Sequence, residues 1–207
     1  MYLEVHTISM NYLAHAYLSF NNTELLLGNM SSDFIKGKNK FKYSTSIQQG
    51  IQLHRDIDTF TDYHPVTAEA KKIFKASVGK YSGAFIDVVY DHFLALDTKE
   101  FLNNDSLQAF AATTYQQLQA NIHFLPLPLQ SMIPFMQSQN WLVHYNSLAG
   151  IEKSFEGLAR RAVYLDDSSP AFLAFKKNYT LLKKHYESFF PDVKKYVQHQ
   201  IQLLQNQ

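Results

Sequence analysis

Apolar residues recur three and four positions apart through almost all of this 207-residue chain, and that rhythm restricts it to helices. The first of these, over residues 11–20, carries Tyr12, Leu13, Ala16, Tyr17 and Phe20 on one face, and Asn21-Asn22 breaks it. A second helix is predicted over residues 23–35, with Thr23 as its N-cap and Gly37 closing it. Residues 38–43 read as a polar loop. Residues 44–61 turn Ile47, Ile51, Ile57 and Phe60 inward, and His64-Pro65 ends that helix because the residue before proline avoids helical geometry. Helices over 66–78 and 84–96 follow, the latter strongly apolar with Phe85, Val88, Val89, Phe93 and Leu96. Further helices are predicted over 106–124, 127–137, 140–145 and 151–164, then a final pair over 169–207 interrupted at Pro191. No segment alternates as a strand does, and the 7 glycines and 6 prolines cluster instead of recurring at β-turn spacing. The expectation is one compact, all-α, multi-helix domain, undivided by any linker or repeat.

Composition narrows the chemistry. A hydrophobic content of 46% with 14% aromatics excludes disorder, and 18% charged residues disfavours a long solvated coiled coil. With 19 basic and 18 acidic residues the net charge is +1, so there is no global field for nucleic acid, and no nucleic-acid partner is expected. No run is apolar enough to span a bilayer, and the first ten residues, with Glu4 and His6, lack the form of a secretory signal. A cytoplasmic protein with no membrane partner is expected. There is no cysteine, which removes disulfides, iron–sulfur clusters, thiolate zinc sites and thiol nucleophiles. A metal here must be held by His, Asp and Glu.

Those residues are unevenly placed. His54, Asp58 and Asp62 stand at i, i+4 and i+8 and share a helix face. Asp87 and Asp91, followed by His92, stand inside the most apolar helix. A buried carboxylate is costly unless paired or metal-bound, and two carboxylates one turn apart repel unless a cation lies between them. Asp33 closes a helix that begins among leucines. Such a pair of residues is more often an ion pair or a satisfied core contact, but three clusters in one half of the chain strengthen the case for a His/Asp metal site. Carboxylate and imidazole donors suit Mn, Fe or Mg. The Glu-x-x-His pairs of di-iron bundles are absent, so metal-assisted hydrolysis is preferred to oxygen chemistry. Between Phe34 and Arg55 lie Lys36, Lys38, Lys40, Lys42 and Arg55 without one acidic residue. This run reads either as a solvated lysine loop or as a docking surface for an acidic partner or phosphorylated substrate. Arg55 is either a fork for phosphate or the ion-pair partner of Asp56 or Asp62.

Several stretches, in order, resemble the acyl carrier protein phosphodiesterases: Met10-Asn11-Tyr12-Leu13-Ala14-His15, Leu27-Gly28-Asn29 running to Asp33-Phe34 with Lys36-Gly37, Gly50 through Asp62, and Asp87 through Leu94. Weaker echoes lie at Trp141-Leu142-Val143, Gly157 through Arg161, His185-Tyr186 and Phe190-Pro191. The resemblance implies hydrolysis of the phosphodiester that joins 4′-phosphopantetheine to a serine of holo-acyl carrier protein. It also implies likeness to the all-helical HD phosphohydrolases and a divalent metal, generally Mn²⁺, with Mg²⁺ or Fe²⁺ as alternatives. One departure stands out: the adjacent pair is Asp91-His92, the reverse of the usual His-Asp order. Because the pattern starts at Met10, residues 1–9 are expected to be an extension, through an upstream start codon or as a genuine extra strand or tail, with the hydrolase domain over 10–207.

The resemblance and the placement of residues together set the expected roles. Asp33, His54, Asp58, Asp91 and His92 are the expected metal ligands, Asp33 and Asp91 foremost. His15, Asp62 and Asp87 would orient those ligands. His54 or His92 would hand a proton to the departing serine, and Arg55 or Arg161 would hold the phosphate. Lys36, Lys38, Lys40 and Lys42 would dock the acidic carrier protein. Two other functions fit the same residues: an HD-like phosphohydrolase acting on a nucleotide or other small phosphoester, and a helical binding module without catalysis. The second would have lost His and Asp positions that are intact here.

Overall fold

The computed structural model describes residues 12–205, so the expected extension over residues 1–9 lies outside the described residues. Eleven α-helices form among the described residues, with no strand. They are α1 (Tyr12–Tyr17), α2 (Thr23–Ser31), α3 (Thr45–Tyr63), α4 (Pro65–Val78), α5 (Ser82–Ala95), α6 (Asn104–Ala120), α7 (Leu127–Ser138), α8 (Trp141–His144), α9 (Leu148–Arg161), α10 (Ser169–Lys177) and α11 (Tyr179–Gln205). No helix among them is long and apolar enough to cross a membrane.

The expected rhythm is present, with four local differences. Asn22, not Thr23, caps α2: its side chain accepts the Leu25 N–H at 3.0 Å. That helix ends at Ser31, and a 3-10 turn, Ser32–Phe34, carries Asp33. The lysine loop is itself wound into a 3-10 turn, Gly37–Lys42. The last break falls at Asn178, and α11 runs straight through Pro191. Proline in a helix interior costs about 3 kcal/mol or more, but Phe189, Phe190 and Val193 around it are buried. Their burial, at roughly 1.5–3 kcal/mol each, outweighs the lost hydrogen bond.

Two features of the packing place the functional residues. The first is the crossing of α2 and α3, where backbone meets backbone. A Cβ on Gly28 would lie 2.2 Å from the Ile47 carbonyl oxygen, and one on Gly50 would lie 2.5 Å from that of Leu25. Only glycine permits that approach, and it sets Asn29 and Asp33 against the His54 face of α3. The second is α5, which is buried nearly all round and packs against α1, α4 and α9. Phe74, Phe85, Phe155 and Phe175 form the aromatic centre of the core, with the Phe85 and Phe155 rings 4.5 Å apart.

Candidate metal centre

Helices α1, α2 and α3 each deliver one part of a buried His/Asp cluster. His15 comes from α1, one turn after Tyr12, with its side chain buried. Its Nδ1 lies 2.7 Å from Asn29 Oδ1. The Asn29 amide nitrogen is already committed as donor, to the His15 carbonyl at 2.9 Å and to Ser19 Oγ at 3.2 Å. Asn29 Oδ1 is therefore the acceptor, and His15 Nδ1 must carry the proton. Burial and the neighbouring His54 lower the His15 pKa against the opposing pull of Asp58, and with the proton on Nδ1 the neutral ring presents Nε2 as a bare lone pair. That atom is buried and has no hydrogen-bond partner, although Asp58 Oδ1 lies only 3.2 Å away. A lone pair facing a carboxylate oxygen is repulsive unless a cation sits between them.

His54 is stacked on His15, with ring centroids 4.0 Å apart. Its Nε2 lies 3.2 Å from Asp33 Oδ1 and 3.2 Å from Asp58 Oδ2. Burial works against the charged imidazole, but the two carboxylates outweigh it and raise the His54 pKa to about 10. The same contacts hold Asp58 well below the usual carboxylate range, despite the burial that opposes it. His15, His54 and Asp58 each offer a ligand atom within 4.8 Å of the others, with Asp33 on the flank of His54. Two imidazoles and two carboxylates, one nitrogen fixed as a bare donor through Asn29, form a donor set that fits a borderline-hard divalent cation. In a cation's absence, the His54 proton does part of its electrostatic work.

The structure draws together Asp33, His54 and Asp58 of the five expected ligands, and it adds His15, expected only to orient them. Asp91 and His92 are engaged elsewhere. Asp91 Oδ2 accepts the Leu13 N–H at 3.0 Å and Oδ1 accepts that of Ala14 at 2.8 Å. Its cost of burial, which pushes its pKa up, is offset by the free N–H groups at the start of α1. His92 Nδ1 donates to the Tyr145 carbonyl at 2.6 Å, and its Nε2 accepts from the Tyr179 hydroxyl at 2.9 Å. Asp62 forms an ion pair with Lys71 at 2.7 Å. Asp87 lines a small cavity with Ile57 and Thr61. Burial, then the charges of Asp58 and Asp62, raise its pKa. Arg55 donates to the Ile35 carbonyl at 3.2 Å, not to Asp56 or Asp62. Arg161 lies within electrostatic range of Tyr12 and Tyr145, and its burial lowers its pKa. Lys36, Lys38 and Lys42 are exposed and Lys40 is half-buried.

Asn29 and Tyr12 were not among the expected site residues. Asn29 had one signal, its place in a leucine-rich helix where an amide needs partners. Nothing in the spacing linked it to His15, because the two meet only when α1 packs on α2.

Comparisons with known proteins follow the same residues. A family model described as "Acyl carrier protein phosphodiesterase" matches residues 10–193. A Photorhabdus laumondii acyl carrier protein phosphodiesterase is 32% identical over 182 residues, covering 88% of this chain and 92% of that protein. The Yersinia pestis protein of the same name is 32% identical over 190 residues, covering 92% and 98%. The Serratia proteamaculans one is 29% identical over 184 residues, covering 89% and 95%. No solved structure matches the chain.

Proposed function

The chain belongs to the acyl carrier protein phosphodiesterase family, and on that premise we propose that it hydrolyses holo-acyl carrier protein to apo-protein and free 4′-phosphopantetheine at the centre formed by His15, His54, Asp58 and Asp33. The observation that carries this assignment is the buried, unpartnered Nε2 of His15, held as a bare donor by Asn29 and facing Asp58 Oδ1 at 3.2 Å. His15, His54 and Asp58 would hold a divalent cation, Mn²⁺ foremost, with Mg²⁺ or Fe²⁺ as alternatives, and Asp33 would complete the set. Such an ion supplies Lewis acidity, polarising a phosphoryl oxygen and making a water acidic enough to attack at neutral pH.

The chain's own residues do the rest. Asn29 keeps the His15 proton on Nδ1 and so keeps Nε2 available. Asp33, with its side chain 24% exposed, is the carboxylate between the buried His54 and incoming substrate. Arg161, within electrostatic range of Tyr12, would face the phosphate and stabilise its added charge. Arg55 serves the backbone of the turn before the lysines and is not assigned to phosphate. With both ring nitrogens engaged, His92 holds α5 to the loop after α8 and to α11, and takes no part in proton transfer. The exposed lysines of the Gly37–Lys42 turn, with Lys36 before it, lie a few residues from Asp33 and dock the acidic carrier protein.

Incubation of the purified protein with holo-acyl carrier protein and Mn²⁺, followed by intact-mass measurement, tests the reading. The carrier protein should lose the mass of its phosphopantetheine, a chelator should stop the loss, and Asp33→Ala should slow it by several orders of magnitude. An unchanged carrier-protein mass with Mn²⁺, Mg²⁺ and Fe²⁺ in turn would end the assignment.

A further inference from the structure

A second concave feature lies between α8 and α9, outside the His/Asp centre. It is a cavity of about 430 Å³, with Trp141, Tyr145, Lys153, Ser154, Arg160 and Arg161 in its wall. That volume falls within the roughly 300–1,000 Å³ of small-molecule sites. Its charge is lopsided: Lys153, Arg160 and Arg161 face one acidic residue, Glu156, whose carboxylate is 3.8 Å from Arg160. Its apolar part is aromatic, and Ser154 and Gln139 add polar groups. A ligand for such a wall is a slender chain with hydrogen-bonding groups along it and an anionic end.

Tyr12 links the cavity wall to the centre: it stands on α1 one turn before His15. The Tyr12 ring is 6.4 Å from that of Trp141. Beyond burial, the charges of Asp33 and Arg161 act on the Tyr12 hydroxyl in opposite senses. Asp33 in turn is 3.2 Å from His54. Arg161 belongs to the cavity wall, on the side where a phosphate shared with the centre would lie.

Resting on the proposed carrier-protein hydrolysis, we infer that this cavity receives the phosphoryl half of the substrate, the 4′-phosphopantetheine arm, from which the carrier-protein serine departs. Its phosphate meets Arg161 at the centre's edge, and its two-amide chain runs past Trp141 and Ser154. The carrier protein itself is too large for this concavity and docks instead on the exposed lysine turn. The two basic regions therefore divide the substrate between them.

Trp141 is the chain's one tryptophan, so its emission reports the cavity directly and independently of turnover. Titration of the full-length, metal-free protein with 4′-phosphopantetheine should change that emission saturably. Pantetheine lacking the phosphate should bind at least 10-fold more weakly, and inorganic phosphate at the same concentrations should leave emission unchanged. Ser154→Phe, which fills the cavity, should weaken 4′-phosphopantetheine at least 10-fold and raise KM for holo-acyl carrier protein far more than it lowers kcat. Lys153→Glu, at an exposed position, should weaken it in the same direction without risk to folding. An absent emission change overturns the inference, as does an equal response to inorganic phosphate or to adenosine monophosphate. Turnover of holo-acyl carrier protein without any emission response would remove the cavity's role and leave the hydrolase reading standing. A saturable response without turnover would do the reverse.

Discussion

Replacing Asn29 by leucine tests the centre at its least obvious member. The substitution keeps side-chain bulk but removes the contacts at 2.7, 2.9 and 3.2 Å to His15 Nδ1, the His15 carbonyl and Ser19 Oγ. Two of those partners are not orphaned, because Ser19 Oγ also donates to the His15 carbonyl at 2.9 Å. The group left bare is the His15 Nδ1–H, whose burial without a partner costs about 1–3 kcal/mol. For a chain of this size that is a fall in Tm of roughly 2–12 °C. The larger consequence is chemical. Without an acceptor at Nδ1 the proton can move to Nε2, where it points at Asp58 and occupies the lone pair a cation needs. Losing such a support typically costs ~10–100-fold in metal affinity. Calorimetric titration of Mn²⁺ into wild type and Asn29→Leu, beside their melting curves, measures both effects. Asn29→Asp, which restores the acceptor, should recover most of the Mn²⁺ affinity. A folded Asn29→Leu protein that binds Mn²⁺ like wild type would refute the tautomer argument.

Three further outcomes are expected. Gly28→Ala should cost about 1–3 kcal/mol or more, because its Cβ would meet the Ile47 oxygen at 2.2 Å and the Ile51 nitrogen at 2.6 Å, both backbone atoms; a lower urea midpoint and weakened Mn²⁺ binding check it. Burial holds the His92 pKa below its unfolded value, so the unfolded chain takes up this proton first and the stability tied to neutral His92 is full above about pH 6.5 and lost as pH falls through the folded pKa; melting curves from pH 7 to 5 should fall less steeply for His92→Gln than for wild type. Lys38→Glu combined with Lys42→Glu should slow association with holo-acyl carrier protein at low salt and matter little at high salt, as stopped-flow binding would record.

Local spacing carried the parts of the site that sit on one helix. His54 and Asp58 are one turn apart on α3, and their pairing is readable from the chain alone. The all-α class was equally legible, since period is a property of neighbours. Asp91 shows where such reading stops. A carboxylate inside Val88-Val89 and Phe93 had to have a partner, and a cation was a reasonable one. The partner is instead a pair of backbone N–H groups 77 and 78 residues earlier, which leave no trace in side-chain pattern. His92 follows the same logic, satisfied by a carbonyl and a hydroxyl from α8's loop and α11. His15 was undervalued for the opposite reason. Its ligand atom is freed by Asn29, on another helix, and only the α1–α2 contact reveals that. Pro191 failed as a helix breaker because tertiary burial around it exceeds a local penalty.

The cap that Asp91 places on α1 has a consequence in time. A helix of six residues does not persist alone in water. The one that carries His15 is held at its start by a carboxylate 78 residues further along the chain. At ribosomal rates of about 5–20 residues per second, that anchor emerges roughly 4–15 s after the histidine it secures. Through the second half of that interval the nascent chain has His54 and Asp58 in hand without a fixed His15. The His/Asp cluster is thus completed late, and a chain stopped short of α5 would carry His15, Asp33, His54 and Asp58 without the anchor that fixes His15 among them.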